Sequence, residues 1–507
     1  MALSDSVSAV TAIFRNRPGD FLPFYLLGAA VPAIVRVIPF AAILVGYLYL
    51  EATGRLEGLP EQLAGIETTP PDPDASDAEV EAWAEQFVPI VEQFVTLPTI
   101  ALFLAAVVIS LLVLFVLYAV VAAGQLATCA ARVRDERGVV AGIAGVRRYG
   151  LRFLALFLLE FLLWTIAIAT VGILAVIGSI VVAAASPLFA ILVAFLAGLV
   201  LLAVLAVIRA LFAFAPVAVV VDDAGVFASL SKTAGFVRAR PIGAAFYYVM
   251  SVGTLLAIST VSGVLVLVEI FTLVSLVTII VVLPVLDALK TALYTQYRGR
   301  LTPPASPERS VRAQIRAGIG RGWREMVAFV RETPGTHAAV VALALGSFWV
   351  GWELAGPYAE YIDASIDARL EGIIPPAFAL ELFGNNTMVA ITTAFSGVAL
   401  AIPALASLLF NGVYMGAVSR FEVDPTQLLA FVIPHGVFEI PAIFVASALG
   451  IWLGVVSWRA FRGSIDRPTF ADALERAFWV LVGVALLLAV AGFVEGFVSP
   501  FYFRLFL

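Results

Sequence analysis

The sequence predicts an all-α polytopic integral membrane helical bundle of about ten or eleven spans. Three observations carry that expectation. First, 62% of the 507 residues are hydrophobic and only 13% are charged. An ordinary soluble domain is roughly 45–50% apolar and about 25% charged, and most of its surface must still meet water. Second, several uninterrupted apolar stretches exceed the roughly 18 residues that mark a spanning helix. Third, the polar segments between them alternate in charge, as loops on opposite sides of a membrane do.

Taken in order, hydropathy places spans near 21–50, 98–124, 151–183, 188–215, 242–267, 271–296, 336–356, 386–420, 428–458 and 476–498. The first stretch has acidic residues ahead of it and no small-residue cleavage site, so it reads as a retained span. The segment 51–97 carries Glu51, Glu57, Glu61, Glu67, Asp72, Asp74, Asp77, Glu79, Glu81, Glu85 and Glu92 against a lone Arg55. The segment 125–152 carries Arg132, Arg134, Arg137, Arg147, Arg148 and Arg152 instead. Arginine-rich short loops stay on the cytoplasmic side, which puts the N-terminus inside and the acidic loop outside. Lys232, Arg238 and Arg240 mark a second inner loop, and the run from Arg298 to Arg331 marks the largest. The outer connections at Ala185–Pro187 and near Glu269 are short.

The segment 386–420 breaks the simple count. As one helix it would be roughly 52 Å long against a hydrocarbon core of about 30 Å. Gly397 and Pro403 stand where such a helix would be interrupted. A broken or re-entrant hairpin also returns Arg459, Arg462 and Arg467 to the cytoplasmic side. Eleven passes or their equivalent follow.

Domain boundaries fall at the proline- and arginine-rich stretch. Residues 1–300 make a six-span membrane domain, 301–335 a basic amphipathic linker, and 336–507 a second membrane domain. In the linker, Ile315, Ile319, Trp323 and Val327 share a helical face, as in a helix lying on an anionic membrane surface; a plain cytoplasmic connector fits equally. Arginines interleaved with apolar residues against a membrane argue against nucleic acid. Three basic entries, Arg15-Asn16-Arg17-Pro18, Arg147-Arg148-Tyr149-Gly150 and Arg238-Ala239-Arg240-Pro241, suggest a threefold repeat of interfacial helix plus span pair. In the outer loop, Ser76 and Glu79 form a capping box ahead of an apolar face of Val80, Trp83, Phe87, Ile90, Val91 and Phe94.

Ionisable or amide side chains within spans are costly, so each invites a function. The densest group is Asn385, Asn386, Asn411, Gly412, His435, Gly436 and Glu439. His435 and Glu439 are four residues apart, hence on one helical face, where the carboxyl can hold the imidazole. Gly436 allows a second backbone to come close. Three readings stay open: mutual structural satisfaction, a recognition or proton-linked site, and metal-dependent catalysis. The last falls short, because one histidine and one carboxylate are fewer than the three protein ligands of a catalytic zinc, and Glu353 could join only through tertiary packing. Glu160 is a second intramembrane acid, expected to pair with an arginine or a backbone group. Glu269 and Glu495 lie near span ends, where solvation explains them. With one cysteine, Cys129, and two histidines, His337 and His435, an intrachain disulfide and Cys- or His-rich metal clusters are excluded. No Walker loop, nucleophile elbow or HExxH motif is present, so no catalytic residue, metal or cofactor is assigned.

The order Phe383-Gly384-Asn385-Asn386, Gly397, Asn411-Gly412 with Gly416, and Pro434-His435-Gly436-Val437-Phe438-Glu439 resembles the stage II sporulation protein M family over about residues 325–500. The resemblance implies a five-span domain and, in endospore formers, a scaffold that recruits peptidoglycan-cleaving partners. Relatives also occur in bacteria and archaea that form no spores, and about 300 extra N-terminal residues set this chain apart. The arginine-rich, acidic-looped composition agrees with a GC-rich, salt-adapted source. The stretch Pro216–Arg240, with Val219-Val220-Val221-Asp222-Asp223, resembles membrane domains of the glycerophosphodiester-phosphodiesterase type. The expectation is a non-enzymatic scaffold in the lipid bilayer that recruits a membrane or envelope protein partner. The rival is a transporter or intramembrane enzyme using the Asn/His/Glu cluster.

Overall fold

The computed structural model describes residues 3–66, 71, 76–183, 186–362, 364–366, 370, 372–502 and 504. Of the residues named above, Glu67, Asp72, Asp74 and Ala185 lie outside the described residues. The fold is all-helical, and ten helices among the described residues are long and apolar enough to cross a membrane. This is a multi-pass membrane protein.

The chain opens with amphipathic α1 (Leu3–Asn16), followed by α2 (Pro23–Val35) and α3 (Val37–Ala52). The first span is therefore jointed, with Pro32 inside α2 and Arg36 exposed at the joint. The acidic segment between the first two spans holds α4 (Leu59–Ala64), α5 (Asp77–Glu85) and α6 (Val88–Phe94). Ser76 and Glu79 form the reciprocal capping box at the start of α5. Hydrogen bonds from Ser76 hold the exposed Glu79 carboxyl below its ordinary value. The apolar face expected to run through Phe94 is interrupted, because Pro89 at the start of α6 cannot continue the helix before it.

Three long helices follow: α7 (Leu97–Arg132), α8 (Gly138–Ala183) and α9 (Pro187–Val221). Next come α10 (Val226–Ala239), α11 (Pro241–Val266), α12 (Thr272–Val277), a π-turn at Thr278–Val282, and α13 (Leu283–Tyr297). Of the three basic entries, the first and third precede proline and separate a short helix from a span. The middle one does not: Arg147–Gly150 lies inside unbroken α8, with no proline there to end it.

The C-terminal part contains α14 (Val311–Glu332), α15 (Pro334–Ala355), α16 (Pro375–Ser396), α17 (Ile402–Phe421), α18 (Pro425–Phe461), α19 (Arg467–Phe497) and short α20 (Ser499–Tyr502). Several of these open on proline, whose fixed φ and missing N–H suit the first helical position. The segment 386–420 is indeed broken, between Ser396 and Ile402, but its first arm starts earlier than hydropathy indicates, at Pro375. Glu381, Asn385 and Asn386 dilute the apolar signal of α16, which at 22 residues is as long as α15.

Two compact units emerge. The first comprises residues 1–28, 115–261 and 278–314; the second comprises 29–114, 262–277 and 315–507. In the first unit, adjacent aspartates tie the helices together. Asp222 accepts from Tyr294 Oη at 2.8 Å and Arg298 Nε at 2.9 Å, with Lys232 Nζ at 3.5 Å. Asp223 accepts from Arg148 and Arg152, each at 2.6 Å.

In the second unit, close backbone approach through small residues builds the packing. Gly412 and Gly416 on α17 face Ser347 and Phe348 of α15, and Gly351 of α15 faces Val413. This is the small-xxx-small contact of membrane helices. The tip of the α16–α17 hairpin rests on Gly450 and Gly454 of α18. At that tip Leu400 and Ala401 hold left-handed backbone, with φ of 60° and 64°. Gly322 of α14 likewise meets Gly483 of α19.

Candidate functional site

Polar side chains from two neighbouring helices of the second unit converge below α20. His435 and Glu439 are one turn apart on α18, and Glu495 comes from α19. One ligand-capable atom from each lies within 4.8 Å of the other two. His435 is 6% exposed and Glu495 8%, so both are withdrawn from the surface. The imidazole Nδ1 lies 3.1 Å from Ser499 Oγ, the first residue of α20. Its Nε2 faces Glu495 Oε1 at 3.8 Å, and the Phe431 ring closes one side at 5.2 Å between centroids. Glu439 lies against Glu495 and against Asn386 of α16. The Oε2 atoms of both glutamates are buried and have no hydrogen-bond partner among the described residues.

Glu495 is not solvated at a span end, because the chain turns directly into α20 and covers it. The imidazole is held by Ser499 and faces Glu495, rather than being held by Glu439. The only sequence signal for the missed pair is the helical spacing of Glu495 and Ser499. With Glu495 included, the cluster offers three ligands where the sequence showed two.

The other candidates separate. Asn385 is exposed and donates to Asn386 at 3.2 Å. Asn411 is exposed midway along α17, and Glu353 is exposed near the end of α15. Gly412 serves the α15–α17 contact. Gly436 does not admit a second backbone: its nearest neighbours are the side chains of Val432 and Ile440, and the close approaches fall at Gly450 and Gly454 instead. Glu381, which the sequence reading passed over, accepts the Phe271 and Thr272 amides at 2.8 Å and so caps α12.

Position along the helix matters for chemistry. On α19, Arg476 bonds Glu332 of α14 at 2.7 Å, within an arginine-rich belt that also pairs Arg321 with Glu475 at 3.4 Å. From Arg476 to Glu495 the helix rises about 28 Å, close to the roughly 30 Å of hydrocarbon core. The cluster therefore sits toward the end of the helices remote from that belt, not halfway along.

The first unit has its own intramembrane polar groups. Glu160 accepts from Arg209 at 3.1 Å, beside a pocket of about 370 Å³ lined by Phe115, Phe157, Phe161 and Trp164. The Arg209 side chain is 63% exposed there. Asp287 pairs with Lys290 at 2.7 Å and accepts from Tyr25 at 3.2 Å; no sequence motif pointed to this pair.

Residues 338–500 match the family model described as Stage II sporulation protein M. That match covers the α15–α19 region and the whole His435–Glu439–Glu495 cluster, and it does not reach Pro216–Arg240, where the second resemblance was drawn. Neither a curated protein nor a solved structure matches the chain.

Proposed function

We propose that this protein is a membrane-embedded scaffold that docks a partner through its bilayer-facing helix surfaces. The observation that carries the reading is the exposure of polar side chains partway along spanning helices. Arg36 sits at the joint of the first span and Asn411 lies at the middle of α17; both are exposed. A charge at the bilayer centre costs about 2.5–3.5 kcal/mol on insertion scales, and interhelical hydrogen bonds from amides hold membrane helices together. A partner helix with a complementary polar group removes that cost. The family match over residues 338–500 takes in Asn411.

By the positive-inside bias the N-terminus and the arginine-rich α14 face the cytoplasm. The His435 cluster then lies toward the outer face, where an envelope partner would be met. A photo-crosslinking residue at position 411, and separately at 36, in native membranes tests the docking. Discrete protein adducts identified by mass spectrometry are expected. Adducts to lipid alone at both positions would overturn the reading.

The buried cluster favours a second reading, a transporter or intramembrane enzyme. Its position near one end of the helices departs from the midplane sites of secondary transporters. Cation or proton flux in proteoliposomes, abolished by Glu439→Gln and Glu495→Gln, would establish it in place of the scaffold.

A further inference from the structure

We propose that His435, Glu439 and Glu495 bind one divalent transition-metal ion of the zinc class. The site is independent of the docking surfaces, since it lies inside the second unit. The ligand set is complete for an open zinc-type site: three protein ligands, with a remaining position for water or another donor. Nitrogen and carboxylate ligands bond such an ion at about 2.0–2.2 Å, which puts ligand atoms about 3–4 Å apart. The atoms here already lie within 4.8 Å of one another, so rotation about side-chain bonds closes the remainder.

Charge points the same way. Two carboxylates and a divalent cation sum to zero, whereas two carboxylates alone repel across a low-dielectric interior. The structure leaves two acceptors that a cation would meet: Oε2 of Glu439 and Oε2 of Glu495 are buried without a partner among the described residues. A buried carboxylate oxygen with no donor is costly, and a metal satisfies both at once.

The surroundings orient the ligands as metal sites do. A metal-bound histidine commonly donates its second ring nitrogen to an oxygen, which fixes ring and tautomer. Ser499 Oγ occupies that place at 3.1 Å from Nδ1, leaving Nε2, the atom that faces Glu495, as the ligand. Asn386 stands in the same relation to Glu439. An imidazole nitrogen among the donors selects against Mg2+ and Ca2+, which take oxygen ligands.

The test uses the full-length protein in mild detergent, stripped with chelator and titrated with Co2+ while visible absorption is followed. Zn2+ serves as competitor and Mg2+ as control. One equivalent of Co2+ per chain is expected, displaced by Zn2+ and not by Mg2+. His435→Gln, Glu439→Gln and Glu495→Gln should each abolish stoichiometric uptake, and Ser499→Ala should weaken it about 10–100-fold. Size-exclusion profiles identify any variant that fails to fold, and the remaining ones then decide. A wild-type chain that takes up no Co2+, or uptake unchanged in the folded glutamine variants, overturns the proposal. Either result leaves the crosslinking test of docking untouched.

Discussion

Asp20 and Arg132 show what a single buried charge does in the first unit. Asp20 accepts the Gly138 and Val139 amides at 2.8 and 3.0 Å, capping α8, while Arg132 lies 3.8 Å from it. Arg132 is wholly buried; its Nη1 donates to the Glu136 carbonyl at 2.8 Å and lies 3.6 Å from Asp135, while its Nε and Nη2 have no partner among the described residues. Asp20→Ala should therefore lower stability by about 1–3 kcal/mol, because it leaves the buried Gly138 and Val139 amides without their acceptor and Arg132 with Asp135 as its remaining carboxylate. Thermal unfolding in detergent reads this, and a variant as stable as the parent would refute it. His435→Ala should cost about 1–3 kcal/mol through loss of the Ser499 contact. Val437→Ala, at a position 66% exposed, is the comparison, and equal melting of the two variants would count against a buried role. His435 and Glu439 were legible because helical spacing puts them on one face. Glu495 and Ser499 were not, because span ends ordinarily face water and their four-residue spacing does not announce a helix that folds back over them.

Elements are joined here by glycine contacts and by the adjacent aspartates Asp222 and Asp223. Gly416 lies on the Phe348 carbonyl and Gly454 on Ala401, leaving no space for a Cβ. Gly416→Leu and Gly454→Val should each cost about 1–3 kcal/mol or more, as overpacking does. Gly253→Leu, a glycine with nothing within 4 Å of an added Cβ, should be nearly neutral; similar losses in all three would remove the argument. The clamp at Asp223 makes a pH prediction. Hydrogen bonds from Arg148 and Arg152 hold this exposed carboxyl below the usual carboxylate range. A folded value below the unfolded one, about 3.9, contributes stability that is present above it and lost as pH falls through the folded value. Hydrogen exchange in α10 should thus be unchanged by this group from pH 7 to 5 and should quicken only below about pH 4. Loosening between pH 7 and 5 that Asp223→Asn abolishes would contradict this. The amphipathic pattern of α14 was readable, but not which face docks: Gly322, Met326 and Phe329 are buried, while Ile315, Ile319 and Trp323 are exposed. A glycine carries no hydropathy signal, yet Gly322 is where Gly483 comes closest.

For the whole molecule, topology can be tested with the protein's own chemistry. Cys129 is fully buried, so the natural chain offers a low labelling background. Single cysteines at Glu85 and at Ser464 should react with an impermeant maleimide from opposite sides of sealed vesicles. Reaction of both from the same side would refute the orientation drawn from arginine bias. Membrane character, most of the spans and the break between Ser396 and Ile402 followed from the sequence alone, because hydropathy and helix-breaking residues act locally and bilayer thickness sets the length of a span. Tertiary structure alone decided which polar residues meet. His435, Glu439 and Glu495 come together while Asn411 and Glu353 stay at the surface, because the rotation of each helix is set by the small residues it packs on, and those contacts join positions far apart in the chain.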